Sequence, residues 1–137
     1  MAMALWRANV GPSSSDWCIE SAGTWAMDGQ QVVTRTQLVL QEKGLEVSEH
    51  RSRIVTAEML LSSNLILTME RGHKEALRAE FPIVARRVYM LSEMIDASYD
   101  IQDPVLGSLA DFRKTLHEIE NILTRGSELI TRLAEGD

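Results

Sequence analysis

The sequence predicts an α/β fold built on a parallel β-sheet. Short apolar runs with strand character, at residues 17–22, 65–69 and 88–91, alternate along the chain with longer segments of helical periodicity. Strands separated by helices are typical of parallel sheets, because a long crossover is needed to bring the chain back to the same edge. The run at residues 65–69 is almost continuously apolar, which indicates a strand covered on both faces.

The first part of the chain predicts a short helix, a turn and a strand. Residues 2–9 form the helix, and a turn rich in Gly, Pro and Ser follows at residues 11–15. Residues 17–22 are predicted to form a strand. Its side chains should alternate between two faces, with Trp17 and Ile19 on one and Cys18 on the other.

Two helices are predicted between this strand and the next. The first covers residues 32–43 and ends at Gly44, a residue that favours the left-handed conformation at helix ends. The second covers residues 56–61, with Thr56 as its N-terminal cap. In the first of them, three apolar side chains are expected to be partly buried: Val33, Leu38 and Leu40.

The second half of the chain predicts a helix, a strand and a long helix. The helix at residues 72–81 ends before Pro82, and the strand at residues 88–91 follows it. Apolar residues three, four or seven apart then predict one long amphipathic C-terminal helix. These residues are Leu109, Phe112, Leu116, Ile119, Leu123, Ile130 and Leu133.

The composition is that of an ordinary globular domain. Of the 137 residues, 45% are hydrophobic and 25% are charged, which suits a single domain with one core. The net charge of −6 offers no basic patch for nucleic acid and argues against binding to an anionic membrane surface. No apolar run approaches the roughly 18 residues of a membrane-spanning helix. The lack of a secretory signal and the single cysteine, Cys18, predict a cytoplasmic protein.

Four segments together resemble one enzyme family. They are residues 21–25 (Ser-Ala-Gly-Thr-Trp), residues 50–53 (His-Arg-Ser-Arg), the apolar run 65–69, and residues 100–104 (Asp-Ile-Gln-Asp-Pro). In this order and spacing they resemble the low-molecular-weight protein tyrosine phosphatases and their arsenate-reductase relatives. Residues 1–10 are similar to the helix that follows the phosphate-binding loop of that family, so the resemblance extends over nearly the whole chain.

The resemblance implies a cysteine-dependent phosphatase chemistry, of which this sequence carries one part. In the family, a loop supplies a cysteine and, six positions later, an arginine. The thiolate attacks phosphorus, while the arginine and the loop amides bind the phosphate oxygens. Here the residue six positions after Cys18 is Thr24, so Cys18 is expected to be a small buried apolar residue rather than a nucleophile. The first strand and the loop would lie before Met1, and the sequence is expected to be N-terminally truncated relative to the family.

The resemblance also implies a three-layer fold around a four-stranded sheet in the order 2-1-3-4. Residues 17–22, 65–69 and 88–91 would be strands 2, 3 and 4, and the central strand 1 would be absent. Strands 2 and 3 would then each have an unpaired edge, and exposed edges recruit other strands. Three outcomes remain open: the two strands close the gap, another chain donates a strand as in a homodimer, or the domain is loose.

The resemblance assigns Asp103 the role of general acid and base. Its carboxyl group would protonate the leaving oxygen and then accept a proton from the attacking water. Pro104 favours an extended backbone at Asp103, which suits a loop that presents a carboxylate, although a plain Asp-Pro turn is the alternative. The family usually has an aromatic residue after this proline. Here Val105 and Leu106 precede Gly107, so the loop offers no aromatic lining for phosphotyrosine.

Several other residues have two possible roles. Trp25 matches a position beside the substrate cleft, where it either packs on an aromatic leaving group or anchors its own segment. Asp100 is expected to be a solvated loop residue, although a like charge near Asp103 would raise the pKa of the acid. His73 is expected to have a capping or surface role. The two guanidiniums of residues 50–53 are an alternative anion site, but a charged surface stretch is the expected role.

Two functions from different classes remain open. The first is a phosphatase that acts on a phosphorylated protein or a small phosphomonoester. This chain would contribute the acid loop of that enzyme and would be inactive alone. The second is a noncatalytic binding or regulatory module that dimerises through its incomplete sheet. Retention of Asp103 favours the first, because a noncatalytic module has no need of an acid. No cluster of His, Cys, Asp and Glu has metal-ligand spacing, so no metal or other cofactor is predicted.

Overall fold

Contacts within the chain divide the structure into two units. The computed structural model describes residues 1–23, 29 and 31–136, except for the side chain of Ser14. One unit comprises Met1–Ile54 and Asp103–Leu123, and the other comprises Val55–Gln102 and Thr124–Asp137. Among the described residues, the helices are either too short or too polar to cross a membrane.

The second unit contains a parallel pair of strands. β1, Ile66–Thr68, and β2, Val88–Met90, pair in parallel along their whole length. The crossover between them is formed by helix α4, Arg71–Glu80, and a 3₁₀ helix, Pro82–Arg87. The predicted α/β class with a parallel sheet is therefore confirmed, and both strands lie within the apolar runs that predict them.

A small apolar core supports this strand pair. Its buried members come from helix α3 (Ala57–Ser62), from α4, and from the 3₁₀ helix and strand that follow: Leu60, Leu77, Val84 and Val88. Thr56 caps α3 as predicted, since its Oγ1 accepts the Met59 N–H at 3.2 Å. The other end of α3 is held by Arg87, whose guanidinium donates to the carbonyl oxygens of Leu61 at 3.1 Å and Ser63 at 3.0 Å.

The first unit contains the N-terminal helices. Helix α1 is Ala2–Val10, a 3₁₀ turn covers Gly11–Asp16, and helix α2 is Thr34–Gln41. Gly44 follows α2 with a φ of 75°, and the N–H of the next residue bonds back to the helix, which is the glycine-ended helix that the sequence predicts. The predicted burial on α2 is partly wrong. Val39 and Leu40 are buried, whereas Val33 and Leu38 are exposed.

The C-terminal segment is two helices rather than the predicted single one. Helix α5 covers Leu109–Arg125 and helix α6 covers Ser127–Ala134, with the break at Gly126. Glycine has a low helix propensity, which is compatible with a break at this position. The predicted apolar face is nevertheless buried at most positions: Phe112, Leu116, Ile119, Leu123 and Ile130.

Residues 17–22 do not form the predicted strand. Among the described residues, the only β-bridge next to this segment is an isolated parallel bridge between Gly23 and Ile54. Burial still alternates with a period of two, because Trp17 and Ile19 are half-buried while Cys18 is exposed. An apolar–polar alternation therefore describes which side chains are covered, whereas a strand also requires a hydrogen-bonded partner.

Candidate active site

A hydrogen-bonded turn presents the carboxylate of Asp103. The Oδ1 atom of Asp103 accepts the N–H of Val105 at 3.0 Å, and the carbonyl of Pro104 accepts the N–H of Gly107 at 2.7 Å. Asp103 is exposed, and its Oδ2 has no hydrogen-bond partner among the described residues. The local structure is thus the Asp-Pro turn of the simpler alternative, and this turn leaves one carboxylate oxygen without a partner in the described part of the chain.

The turn continues directly into helix α5 through a capping arrangement. Asp111 Oδ2 accepts the N–H of Ser108 at 2.8 Å and its hydroxyl at 3.1 Å, while Ser108 Oγ accepts the N–H of Asp111 at 3.3 Å. These hydrogen bonds, chiefly from the Ser108 backbone N–H, lower the pKa of Asp111. The Ser-x-x-Asp spacing is a recognised start signal for helices, so this cap could have been found from the sequence.

Gly107 fits closely against this cap. A Cβ atom at position 107 would lie 2.6 Å from Asp111 Oδ2 and 2.8 Å from Asp111 Cβ. Contacts this short require Asp111 to move, so only glycine is compatible with the turn and the cap together. In contrast, Leu106 next to it is 98% exposed.

The segment that precedes the turn is anchored within the second unit. Ser92 Oγ donates to the carbonyl of Tyr99 at 2.8 Å and accepts its N–H at 3.2 Å. The N–H of Ile101 donates to the carbonyl of Met69 at 2.9 Å, and the Ile101 side chain is buried. The backbone leading to Asp103 is therefore fixed by side-chain and main-chain bonds.

Asp100 has a more definite role than the solvated loop residue predicted for it. Its Oδ1 accepts the N–H of Arg71 at 2.8 Å, at the first residue of α4. An acceptor at a helix N-terminus satisfies one of the free N–H groups there, and a negative charge is favoured at that end. His73 is half-buried in the same first turn, and its capping or surface role stays a prediction.

The other predicted site residues are distributed as follows. Trp25 and Thr24 lie outside the described residues, and the role of Trp25 stays a prediction. Cys18 is exposed, so the expectation that it is a buried apolar residue is wrong. Its exposure does not supply the arginine that a phosphate loop needs. No group of three or more His, Cys, Asp and Glu side chains in the described part of the chain is arranged to hold a metal ion.

Residues 50–53 lie beside helix α1 rather than standing alone. Burial of the His50 ring lowers its pKa, and the positive charges around it, which include Arg53, Arg7 and Arg51, lower it further. Ser21 Oγ lies 3.4 Å from His50 Nε2. The contribution of Arg7 was not predicted from the sequence, because no local pattern connects it with residues so far along the chain.

Comparison with known proteins places the chain in a family. Residues 1–135 match the family model of the low molecular weight phosphotyrosine protein phosphatases. The chain belongs to this family. It is 30% identical over 111 residues to a protein-arginine-phosphatase of Geobacillus stearothermophilus, a match that covers 80% of this chain and 74% of the relative.

Further relatives agree with this assignment. A probable low molecular weight protein-tyrosine-phosphatase, EpsP, of Ralstonia nicotianae is 31% identical over 120 residues, covering 88% of this chain and 79% of the relative. The solved structure of the YwlE arginine phosphatase from Geobacillus stearothermophilus superimposes with a TM-score of 0.86 at 28% identity, covering 99% of this chain and 87% of that one. The relatives of this low molecular weight phosphatase family member are thus protein tyrosine and protein arginine phosphatases.

Proposed function

We propose that this chain provides the acid–base half of a protein phosphatase that works through a cysteinyl-phosphate intermediate. The observation that carries the proposal is the Asp103 carboxylate, which a hydrogen-bonded turn holds through Oδ1 while Oδ2 is left open. A general acid has to reach the leaving atom at hydrogen-bonding distance, so an exposed and oriented oxygen is the required arrangement. Membership of a phosphatase family supports this role for Asp103.

The proposed reaction has two steps. In the first, a cysteine thiolate attacks phosphorus, the bond from phosphorus to the leaving atom breaks, and protonated Asp103 gives its proton to the leaving atom. In the second, Asp103, now a carboxylate, takes a proton from water as this water attacks the phosphocysteine. Inorganic phosphate leaves, the thiolate is regenerated, and Asp103 is again protonated.

The nucleophile and the phosphate-binding arginine have to come from outside these 137 residues. The sequence contains one cysteine, Cys18, and no arginine six positions after it. A positioned general acid contributes about a hundred- to ten-thousand-fold to a rate, and it contributes only when a nucleophile and an anion-binding group are present. We therefore expect the 137-residue chain alone to be inactive.

A phosphorylated protein is the proposed substrate class. The relatives are named for phosphotyrosine and phosphoarginine proteins, whose leaving atoms are oxygen and nitrogen respectively, and one acid protonates either. The loop carries Val105 and Leu106 where aromatic residues would pack on a phosphotyrosine ring. This aliphatic loop favours a leaving group without a ring, although a small phosphomonoester is also compatible with it.

Activity measurements on two proteins test the proposal. The chain as given should hydrolyse aryl phosphates at well below about one turnover per second, a low value for an enzyme. A fusion that places a family strand and Cys-to-Arg loop in frame before Met1 should be active, and its activity should depend on Asp103.

Leaving-group dependence identifies the acid. In the fusion, Asp103→Asn should slow esters of poor leaving groups by about a hundredfold or more and barely affect good ones, because good leaving groups need little protonation. Asp100→Asn is the matched control, because it removes a carboxylate three positions away that already binds Arg71. An equal effect of Asp103→Asn on good and poor leaving groups would show that Asp103 is not the acid.

The second candidate is a noncatalytic, dimerising module. It is favoured by the lack of a Cys-to-Arg loop in the sequence and by the two-stranded sheet in the described part of the chain. If the fusion folds with the family's circular dichroism spectrum and remains inactive, this candidate replaces the phosphatase.

A further inference from the structure

A cavity of about 610 Å³ lies in the first unit, alongside helix α1 and residues 45–53. Volumes of about 300–1,000 Å³ are typical of pockets that bind small molecules. One part of its wall is apolar and is formed by Met3, Ala4, Ala8, Leu45 and Val47. A ligand with an apolar portion can therefore be accommodated against this wall.

Three guanidiniums line the rest of the cavity, and each is already held in place. Arg7 donates to the carbonyl of Ile19 at 2.6 Å, and Arg51 donates to the carbonyl of Ser48 at 2.7 Å. The Nε of Arg53 donates to the carbonyl of its neighbour Ser21 at 3.3 Å. Arg51 also donates to the carbonyl of His50 at 3.0 Å, and Arg53 is paired with Glu20, whose Oε1 lies 3.6 Å from Arg53 Nη2. Because a guanidinium has five N–H donors, bonds to neutral carbonyls leave the charge and most of the donors of Arg7 and Arg51 available.

Holding these side chains in advance favours binding. An arginine that is already ordered loses less conformational entropy when a ligand arrives, so more of the interaction energy appears as affinity. A planar guanidinium also forms paired bonds to phosphate and carboxylate oxygens. The geometry thus selects an anion with two or more oxygens.

The lining of the cavity is positive on balance although the chain carries −6 overall. It contains Arg7, Arg51 and Arg53 against Glu46 and Glu49, a balance of +1 with the histidine neutral, and Glu20 pairs with Arg53 from outside the lining. Glu46 is itself occupied, since its Oε1 accepts the N–H of Ser48 at 2.9 Å. Burial is the main cause of the lowered pKa of His50, and the N-terminal amine, Arg53, Arg7 and Arg51 lower this pKa further.

We propose that this cavity, formed by α1 and residues 45–53, binds a small anion with an apolar body, namely an alkyl or aryl phosphate or carboxylate. The oxygens would bind Arg7 and Arg51, and the apolar body would lie on Met3 and Val47. The site is independent of the proposed role of Asp103.

Binding of defined probes to the 137-residue chain tests this site. Phenylphosphonate, which resists hydrolysis, and benzoate carry the two headgroups on one apolar body, and inorganic phosphate carries the headgroup alone. Phenylphosphonate or benzoate should bind at least about tenfold more tightly than inorganic phosphate, in calorimetry and in ¹H–¹⁵N spectra. Whichever of the two binds more tightly identifies the headgroup.

Substitutions locate the site. Arg51→Gln and Arg7→Gln should each weaken binding about tenfold or more, whereas Arg86→Gln, at an exposed arginine of the second unit, should not. Asp103→Asn should leave the affinity unchanged, because its loop is not part of the lining. The bound anion should also raise the pKa of His50, which reverses the effect of the surrounding cations.

Three results would overturn the proposal. One is equal weakening by Arg51→Gln and Arg86→Gln, which would indicate nonspecific charge attraction. Another is equal affinity for inorganic phosphate and the two aromatic probes, which would mean that the apolar wall takes no part. The third is absence of binding in a chain whose circular dichroism and thermal unfolding show that it is folded.

Discussion

At the scale of single residues, Asp103 and Asp111 hold the two ends of the loop before α5. Asp103 Oδ1 accepts one N–H, that of Val105, whereas Asp111 Oδ2 accepts both the N–H and the hydroxyl of Ser108 at the start of α5. Both are exposed aspartates, and only their hydrogen-bond partners distinguish them. The cap holds the end of the loop, and the Asx turn of Asp103 holds its beginning.

The Ser108–Asp111 cap should make stability depend on pH. Since hydrogen bonds from Ser108 lower the folded-state pKa of Asp111 below 3.8, the cap stabilises the fold above this value and is lost as pH falls through the lowered pKa. We expect Asp111→Asn to lower Tm by a few degrees near neutral pH, with a difference from the unmodified chain that shrinks in strong acid. Thermal melts across the acid range measure this.

A double substitution provides the control for this cap. Ser108→Ala removes the hydroxyl that donates to Asp111 Oδ2, and Asp111→Asn removes the charge of its acceptor, so their combined effect on Tm should be smaller than the sum. Fully additive effects would show that the two residues do not act through each other.

At the scale of elements, the Lys74–Glu93 pair connects α4 with the 3₁₀ helix Leu91–Ile95. Lys74 Nζ lies 2.9 Å from both oxygens of Glu93, and Glu93 Oε2 also accepts the N–H of Met90 at 2.6 Å. Burial raises the pKa of Glu93, but Lys74 and the Met90 N–H outweigh it and the pKa is lowered on balance. Its contribution to stability is therefore present above the ordinary glutamate pKa and lost as pH falls through the lowered value.

Removing the charge of Glu93 should destabilise the fold. Glu93→Gln should lower the free energy of unfolding by about 1–3 kcal/mol at neutral pH, because a partly buried lysine loses its charged partner. Urea unfolding measures the change. The matched control is Arg113→Gln, which breaks the exposed Arg113–Glu42 pair at 2.8 Å and should change stability little. Equal effects of the two substitutions would contradict the importance of partial burial.

The elements show what local patterns predict and what they do not. The Thr56 cap and the Gly44 end are predicted because each depends on residues close together in the chain, and β1 and β2 are predicted from their short apolar runs. The strand at residues 17–22 is predicted wrongly because pairing depends on a distant partner. The break at Gly126 is missed because the apolar spacing continues on both sides of it.

The candidate site follows the same division. The family resemblance leads to Asp103, and the structure adds its anchoring through Val105 and Pro104. Local sequence leaves the Asp100–Arg71 bond and the proximity of Arg7 to Arg51 unpredicted, because these pairs are far apart along the chain. Cys18 shows the reverse error, since an apolar neighbourhood in sequence does not imply burial in the fold.

At the scale of the whole molecule, hydrogen bonding between strands is concentrated in the β1–β2 pair. Within the described residues, β1 and β2 form a two-stranded sheet. Residues 17–22 are only partly buried by side-chain packing and do not pair as a strand. Packing without main-chain bonds leaves backbone groups accessible to solvent or to another strand.

Native-state hydrogen exchange should reveal this uneven distribution. Amides of β1 and β2 should exchange roughly a hundredfold or more slowly than those of residues 17–22, since they open only with larger parts of the structure. Measurement at increasing protein concentration tests the predicted homodimer at the same time. Protection at residues 17–22 that grows with concentration would support strand exchange between chains. Uniform protection in a monomer would contradict it.

The close fit of Gly107 against Asp111 matters when related sequences are compared. Any larger residue at position 107 forces Asp111 away from Ser108, so the loop loses its support while its aspartate and proline remain. A related chain that keeps Asp-Pro but replaces this glycine would still carry the motif of an enzyme. It would lose the cap that supports the loop of its aspartate. If Asp103 is the proposed acid, substitution of Gly107 would thus impair the loop while the Asp-Pro motif stayed intact.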